Sequence, residues 1–117
     1  MIFRAFVLAC LAASPCLADP VEIVDAKAEK QGATWRFDVT ARHPDTGWEH
    51  YADAWRILDA GGRTLGLRVL LHPHEDEQPF TRSLSGVEIP DDVSEVWIEG
   101  RCLVDGWGGT KFHLKLR

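Results

Sequence analysis

Apolar and polar residues alternate along most of the chain with a period close to two, the spacing of strands with one buried face. Ala33 to Arg42 is the clearest case: Trp35, Phe37, Val39 and Ala41 alternate with Arg36, Asp38, Thr40 and Arg42. A first strand is predicted over Pro20 to Lys30, with Val21 and Ile23 on one face. A third runs from Ala54 to Asp59, with Trp55 and Ile57 inward. The fourth spans Thr64 to Leu71, with Leu65, Leu67, Val69 and Leu71 sharing a face. Phe80 to Ile89 is the fifth, interrupted near Gly86. Ser94 to Val104 is the sixth, where Val96, Ile98, Gly100 and Cys102 face one way. Thr110 to Arg117 is the seventh, with Phe112, Leu114 and Leu116 inward. Only Trp48 to Asp53 leaves room for a short helical turn.

Turn residues punctuate these strands. Lys30-Gln31-Gly32 turns the chain, the paired Gly61-Gly62 supply the positive φ that a tight hairpin needs, and Pro90-Asp91-Asp92 closes another turn. Seven short strands in about 100 residues predict an all-β fold, a seven-stranded antiparallel β-sandwich. In such a sandwich successive connections alternate between two ends. Lys30 to Gly32, Ala60 to Arg63 and Pro90 to Val93 fall at one pole and hold ordinary turn residues. His43 to Asp53, His72 to Pro79 and Asp105 to Gly109 fall at the other. That second set carries four of the five histidines, together with Trp48, Tyr51, Trp107 and a run of acids. Turn geometry requires none of these residues, and loops on a rigid scaffold are where binding groups concentrate.

The pattern carried by Trp35-x-Phe37-x-Val39, Trp55-x-Ile57 and Val96-x-Ile98-x-Gly100-x-Cys102 resembles the fibronectin type III and immunoglobulin-like superfamily over the whole of residues 19–117. The resemblance implies a sandwich architecture and no particular activity. It departs from the antibody type, because the second strand has no cysteine to pair with Cys102. The single tyrosine, Tyr51, also lies in a loop and not at the sixth-strand corner.

Composition bounds the rest. Met1 to Ala18 has Arg4 near its start, then the apolar run Ala5 to Ala13, then Ser14-Pro15-Cys16-Leu17-Ala18, as a secretory signal peptide does. Cys16 could be the modified residue of a lipoprotein leader, but Pro15 fits poorly where a small residue is wanted. Cleavage after Ala18 is the expectation. It predicts a single domain over residues 19–117, exported to a periplasm of Gram-negative type or secreted. The apolar run is short of the roughly 20 residues that span a bilayer. Cleavage removes Arg4 and no acid, so 12 basic side chains face 18 acidic ones. A net charge of −6 argues against nucleic acid and anionic membrane as partners. Cys10 and Cys16 leave with the leader, and Cys102 in its strand pattern is expected to be buried.

The densest ligand chemistry is His72-Pro73-His74-Glu75-Asp76-Glu77. Residues two apart on extended backbone point the same way, roughly 6.6 Å apart, and Pro73 holds His72 extended. His72 and His74 could share a divalent transition metal, copper or zinc, with His43 or His50 as a third ligand and Glu75 as a fourth. The lack of a methionine after Met1 and the single cysteine weigh against a cuprous site. The plainer reading is a solvated acidic loop, with Glu75, Asp76 and Glu77 free to pair with Arg82, Arg68 or Arg56. An alternative surface combines Trp48, Tyr51 and Trp107 with Asp76 and Glu77 against a partner protein or a sugar. Trp107 could instead fold over the sandwich mouth, since glycines flank it. No nucleophile motif frames Ser83 or Ser85, and a sandwich this small has little room for a pocket of about 300 Å³ or more. The sequence therefore predicts a non-enzymatic exported binding protein with its site at one loop pole. The partner expected is a periplasmic protein or a small ligand.

Overall fold

The computed structural model describes residues 19–117, which form seven strands: β1 (Glu22–Gln31), β2 (Thr34–Arg42), β3 (Ala52–Leu58), β4 (Thr64–Val69), β5 (Phe80–Val87), β6 (Glu95–Cys102) and β7 (Gly106–Lys115). The expected leader and its cleavage after Ala18 fall on residues 1–18, outside the described residues. All strand pairings are antiparallel, in two sheets of order β1-β2-β5 and β4-β3-β6-β7. No helix forms at Trp48 to Asp53; the loop closes on itself through a Gly47–His50 bridge. Among the described residues no helix is long and apolar enough to cross a membrane.

The core lies between the sheets and follows the alternation. Phe37, Val39 and Ala41 of β2 meet Trp55 and Ile57 of β3 and Val96 and Ile98 of β6, all fully buried. Burying a side chain such as Phe37, Ile57 or Ile98 stabilises the fold by roughly 1.5–3 kcal/mol each. One flank is closed by the segment before β1. A Cβ on Gly100 would stand 2.5 Å from Cβ of Val21, so only glycine admits Val21 against β6. At the opposite flank, β4 and β5 face each other without pairing. There Arg68 of β4 donates through Nε to the Ser83 carbonyl of β5 at 2.9 Å.

Two expectations are corrected. Leu67 and Val69 do not point into the core; they are half exposed, opposite Arg56 and Ala54 on the outer face of the four-stranded sheet, and Leu71 is exposed beyond the strand. A register shift at Leu58 moves the chain by one residue, so Gly66 faces the core against Ile57, Leu84 and Val87. The last strand starts at Gly106 and not at Thr110. Gly106 and Gly109 take positive φ and a register shift falls opposite them, so the glycine cluster is an irregular strand start and not a loop. Trp107 therefore pairs with Arg101 inside the sheet.

Candidate metal centre at the loop pole

The topology brings together three connections: residues 43–51, 70–79 and 103–105. Asp45 ties the first two. Its side chain is fully buried. Oδ1 accepts from the Ala52 backbone N–H at 3.0 Å and from His43 Nδ1 at 2.6 Å, and Oδ2 accepts from the His74 backbone N–H at 2.7 Å. Gln78 adds a second tie, accepting from the His43 backbone N–H at 3.0 Å and donating to the His74 carbonyl at 2.8 Å. The third connection joins through the Leu103 N–H, which donates to the Tyr51 carbonyl at 2.9 Å.

Asp45 also fixes a tautomer. A carboxylate only accepts, so Nδ1 of His43 carries the proton and Nε2 presents a bare lone pair when the ring is neutral. That Nε2 is buried and has no hydrogen-bond partner. The His43 ring stands beside that of His50, with ring centroids 4.9 Å apart, and His43 falls in one group with His50 and Cys102. One ligand atom from each of His43, His50 and Cys102 lies within 4.8 Å of the others. His43 comes off β2 in one sheet, while Cys102 ends β6 in the other, so the group bridges both sheets at the floor of the pole. The His43 side chain is fully buried, Cys102 is 1% exposed, and the His50 side chain, 22% exposed, reaches solvent, with Asp19 4.0 Å from its Nε2.

This arrangement has the parts of a metal centre. Two imidazoles and a thiol converge, and a carboxylate behind one imidazole orients it, as ligating histidines commonly require. Metal–nitrogen and metal–sulfur bonds of about 2.0–2.3 Å would draw the three atoms closer together. The sequence singles out His43 and His50 but marks Cys102 only as a buried strand residue and gives Asp45 no role. The signals available were the His43-x-Asp45 spacing and the position of Cys102 as the last inward residue before the pole.

The other candidates lie elsewhere. His72 and His74 have ring centroids 4.6 Å apart, yet neither joins the group of three, and nor does Glu75. His74 is buried with its ring stacked on Phe80 at 4.0 Å and 7°; neither ring nitrogen is hydrogen-bonded, and Asp45 Oδ2 stands 3.9 Å from Nδ1. Burial, then Arg82 and His72, hold its pKa below the ordinary 6.5. His72 is exposed, with Nδ1 3.1 Å from the Pro73 carbonyl oxygen. Glu75 and Asp76 are exposed. Glu77 pairs with Arg82 at 3.1 Å, which holds its carboxyl below the usual range. Trp48 and Tyr51 meet edge to face at 5.8 Å, but Trp107 stands apart with the Arg56 guanidinium 4.0 Å above its ring. Ligand-sized hollows do exist. One of about 530 Å³ lies at the far pole among Ala33, Arg63, Thr64, Leu65 and Glu88 to Asp91.

No protein-family model matches the chain, and no solved structure matches it. Over 88 residues the chain is 38% identical to a Halomicrobium mukohataei protein named "Putative lipoprotein". The match covers 74% of this chain and 43% of that protein, so the chain spans less than half of its relative's length.

Proposed function

We propose that the chain is a non-enzymatic exported domain that holds a divalent transition metal, copper or zinc, at its loop pole through His43, His50 and Cys102. The observation that carries this reading is the orphaned Nε2 of His43. A buried imidazole nitrogen without a hydrogen-bond partner costs about 1–3 kcal/mol; here Asp45 holds the other nitrogen of the ring, and His43 groups with His50 and Cys102. A bound cation would turn this liability into a bond. The relative's name supports export. The three-against-four division of strands, with β4 beside β3, supports the fibronectin type III branch of the resemblance over the antibody constant arrangement.

The test uses protein purified without a histidine tag, stripped with a chelator and dialysed against zinc or copper. Equimolar metal should be retained and the melting temperature should rise, since a ligand at about 100 times its Kd adds roughly 2.7 kcal/mol. His50→Ala should abolish both effects, and His72→Ala should leave them. A folded protein that retains neither metal refutes the reading. Loss with His72→Ala but not with His50→Ala would move the site to the outer histidine pair.

A second reading has its own observation. Trp48 is 65%, Leu71 74% and Val104 63% exposed, all around this pole. These side chains suit a protein partner docking over the site, and Trp48→Ala would weaken that contact without touching metal retention.

A further inference from the structure

Resting on the metal-binding reading, we infer that the centre is a copper site in which the Cys102 thiolate is a direct ligand and copper exchanges one electron between its divalent and monovalent states. Three features of the site argue for copper over zinc.

The first is the donor count. Among the described residues the group numbers three: two imidazoles and one sulfur. A structural zinc site closes with four protein ligands in a tetrahedron. Two histidines and a cysteine in a trigonal set are the ligands of copper electron-transfer centres, and copper(II) also binds nitrogen and sulfur donors more tightly than zinc. With the thiol inside the donor set, the shortage of sulfur ligands no longer weighs against copper(I).

The second is rigidity. Cys102 sits in a strand paired on both sides, with Ala52 of β3 and Gly106 of β7. His43 is held by Asp45 at its ring and by Gln78 at its backbone. His50 donates its backbone N–H to the Gly47 carbonyl at 3.2 Å, and its own carbonyl accepts from Thr46 at 3.0 Å. With the backbone of all three residues held, the side chains have only a short distance to close on an ion, and the same ligands are offered to both oxidation states.

The third is protection of the thiolate. Copper(II) ordinarily oxidises free thiols pairwise: two thiolates form a disulfide and two copper(II) ions become copper(I). That needs a second thiol. Cys102 is the single cysteine among the described residues and, at 1% exposure, does not reach a thiol on a neighbouring molecule, so the copper–thiolate bond persists. Charge fits as well. When copper(II) binds, the thiol proton leaves to solvent, and the thiolate and the Asp45 carboxylate together balance the ion, so no net charge is buried. In the redox step copper(II) accepts one electron from a one-electron reductant and returns it to a one-electron oxidant, and no bond to the protein breaks. His50, the ligand whose side chain reaches solvent, is the contact through which the electron would pass.

Copper(II) sulfate added to untagged, chelator-stripped protein should produce an intense visible thiolate-to-copper charge-transfer band. Ascorbate should bleach it and ferricyanide restore it over repeated cycles. Copper should displace zinc from zinc-loaded protein. Cys102→Ser, and Cys102→Ala should the buried hydroxyl disturb folding, should remove the band and weaken copper retention about tenfold or more, with the circular dichroism spectrum unchanged. His72→Ala should keep the band. Copper bound without the band, a band that survives in both Cys102 variants, or zinc that copper does not displace overturns the copper inference and leaves the metal-binding reading standing. Retention of neither metal overturns both.

Discussion

Asp45 satisfies three donors that would otherwise be stranded inside the pole: the Ala52 and His74 backbone N–H groups and His43 Nδ1. One carboxylate thus joins the chain leaving β2, the chain entering β3 and the long loop before β5. His74 shows the opposite economy. It is 5% exposed, stacked on Phe80, with no hydrogen bond to either nitrogen; burial lowers its pKa, and the Asp45 carboxylate 3.9 Å from Nδ1 opposes that only in part. The unfolded chain therefore binds a proton at His74 more readily than the folded one. Stability from this group is present above the ordinary pKa of 6.5 and is lost as pH falls through the depressed folded value. The urea midpoint of the metal-free protein should drop between about pH 7.5 and 5.5. His74→Gln should flatten that drop; parallel profiles for the two proteins would exclude His74 as its source.

Among the elements, β2, β3 and β6 were legible because each buries its inward face completely: Trp35 to Ala41 alternates cleanly, and Val96, Ile98, Gly100 and Cys102 are buried although Glu99 between them is buried as well. β4 was legible as a strand but not in its facing. Leucine and valine at alternate positions read as a core stripe, but the register shift at Leu58 turns them outward, and the sequence carries no mark of it. Leu67→Thr should therefore change the unfolding free energy by no more than about 0.5 kcal/mol, while Ile57→Ala in the adjacent strand should cost roughly 2–5 kcal/mol. Urea denaturation of both variants checks this, and a cost at Leu67 approaching that at Ile57 would put the leucine face back in the core. The pole itself was legible, because alternation of loops follows from counting strands. The ligand set within it was only half legible. His43 and His50 stood out as histidines, but the proximity of Cys102 depends on how the two sheets stack, and spacing along the chain does not encode that.

For the whole molecule, the two flanks of the sandwich are unequal. One is packed by Pro20 and Val21 against Gly109 and Gly100. The other leaves β4 and β5 side by side without a ladder between them, each with one row of backbone groups unclaimed by a neighbouring strand. Arg68 is the side chain laid across that gap, with Nε on the Ser83 carbonyl and Nη1 on the Val69 carbonyl at 2.8 Å. Unpaired rows of this kind are templates on which another chain can add a strand, and an inward-leaning cation is one of the ways natural sheets discourage it. Removing the guanidinium should thus show less in the folded monomer than in its company. Arg68→Ala should raise light scattering and thioflavin fluorescence on gentle warming faster than wild type, with little change in urea midpoint; equal rates would mean that something else guards the seam. On this view the residue that closes the open flank acts chiefly as a colloidal safeguard, setting how concentrated the protein can become before its molecules begin to polymerise edge to edge.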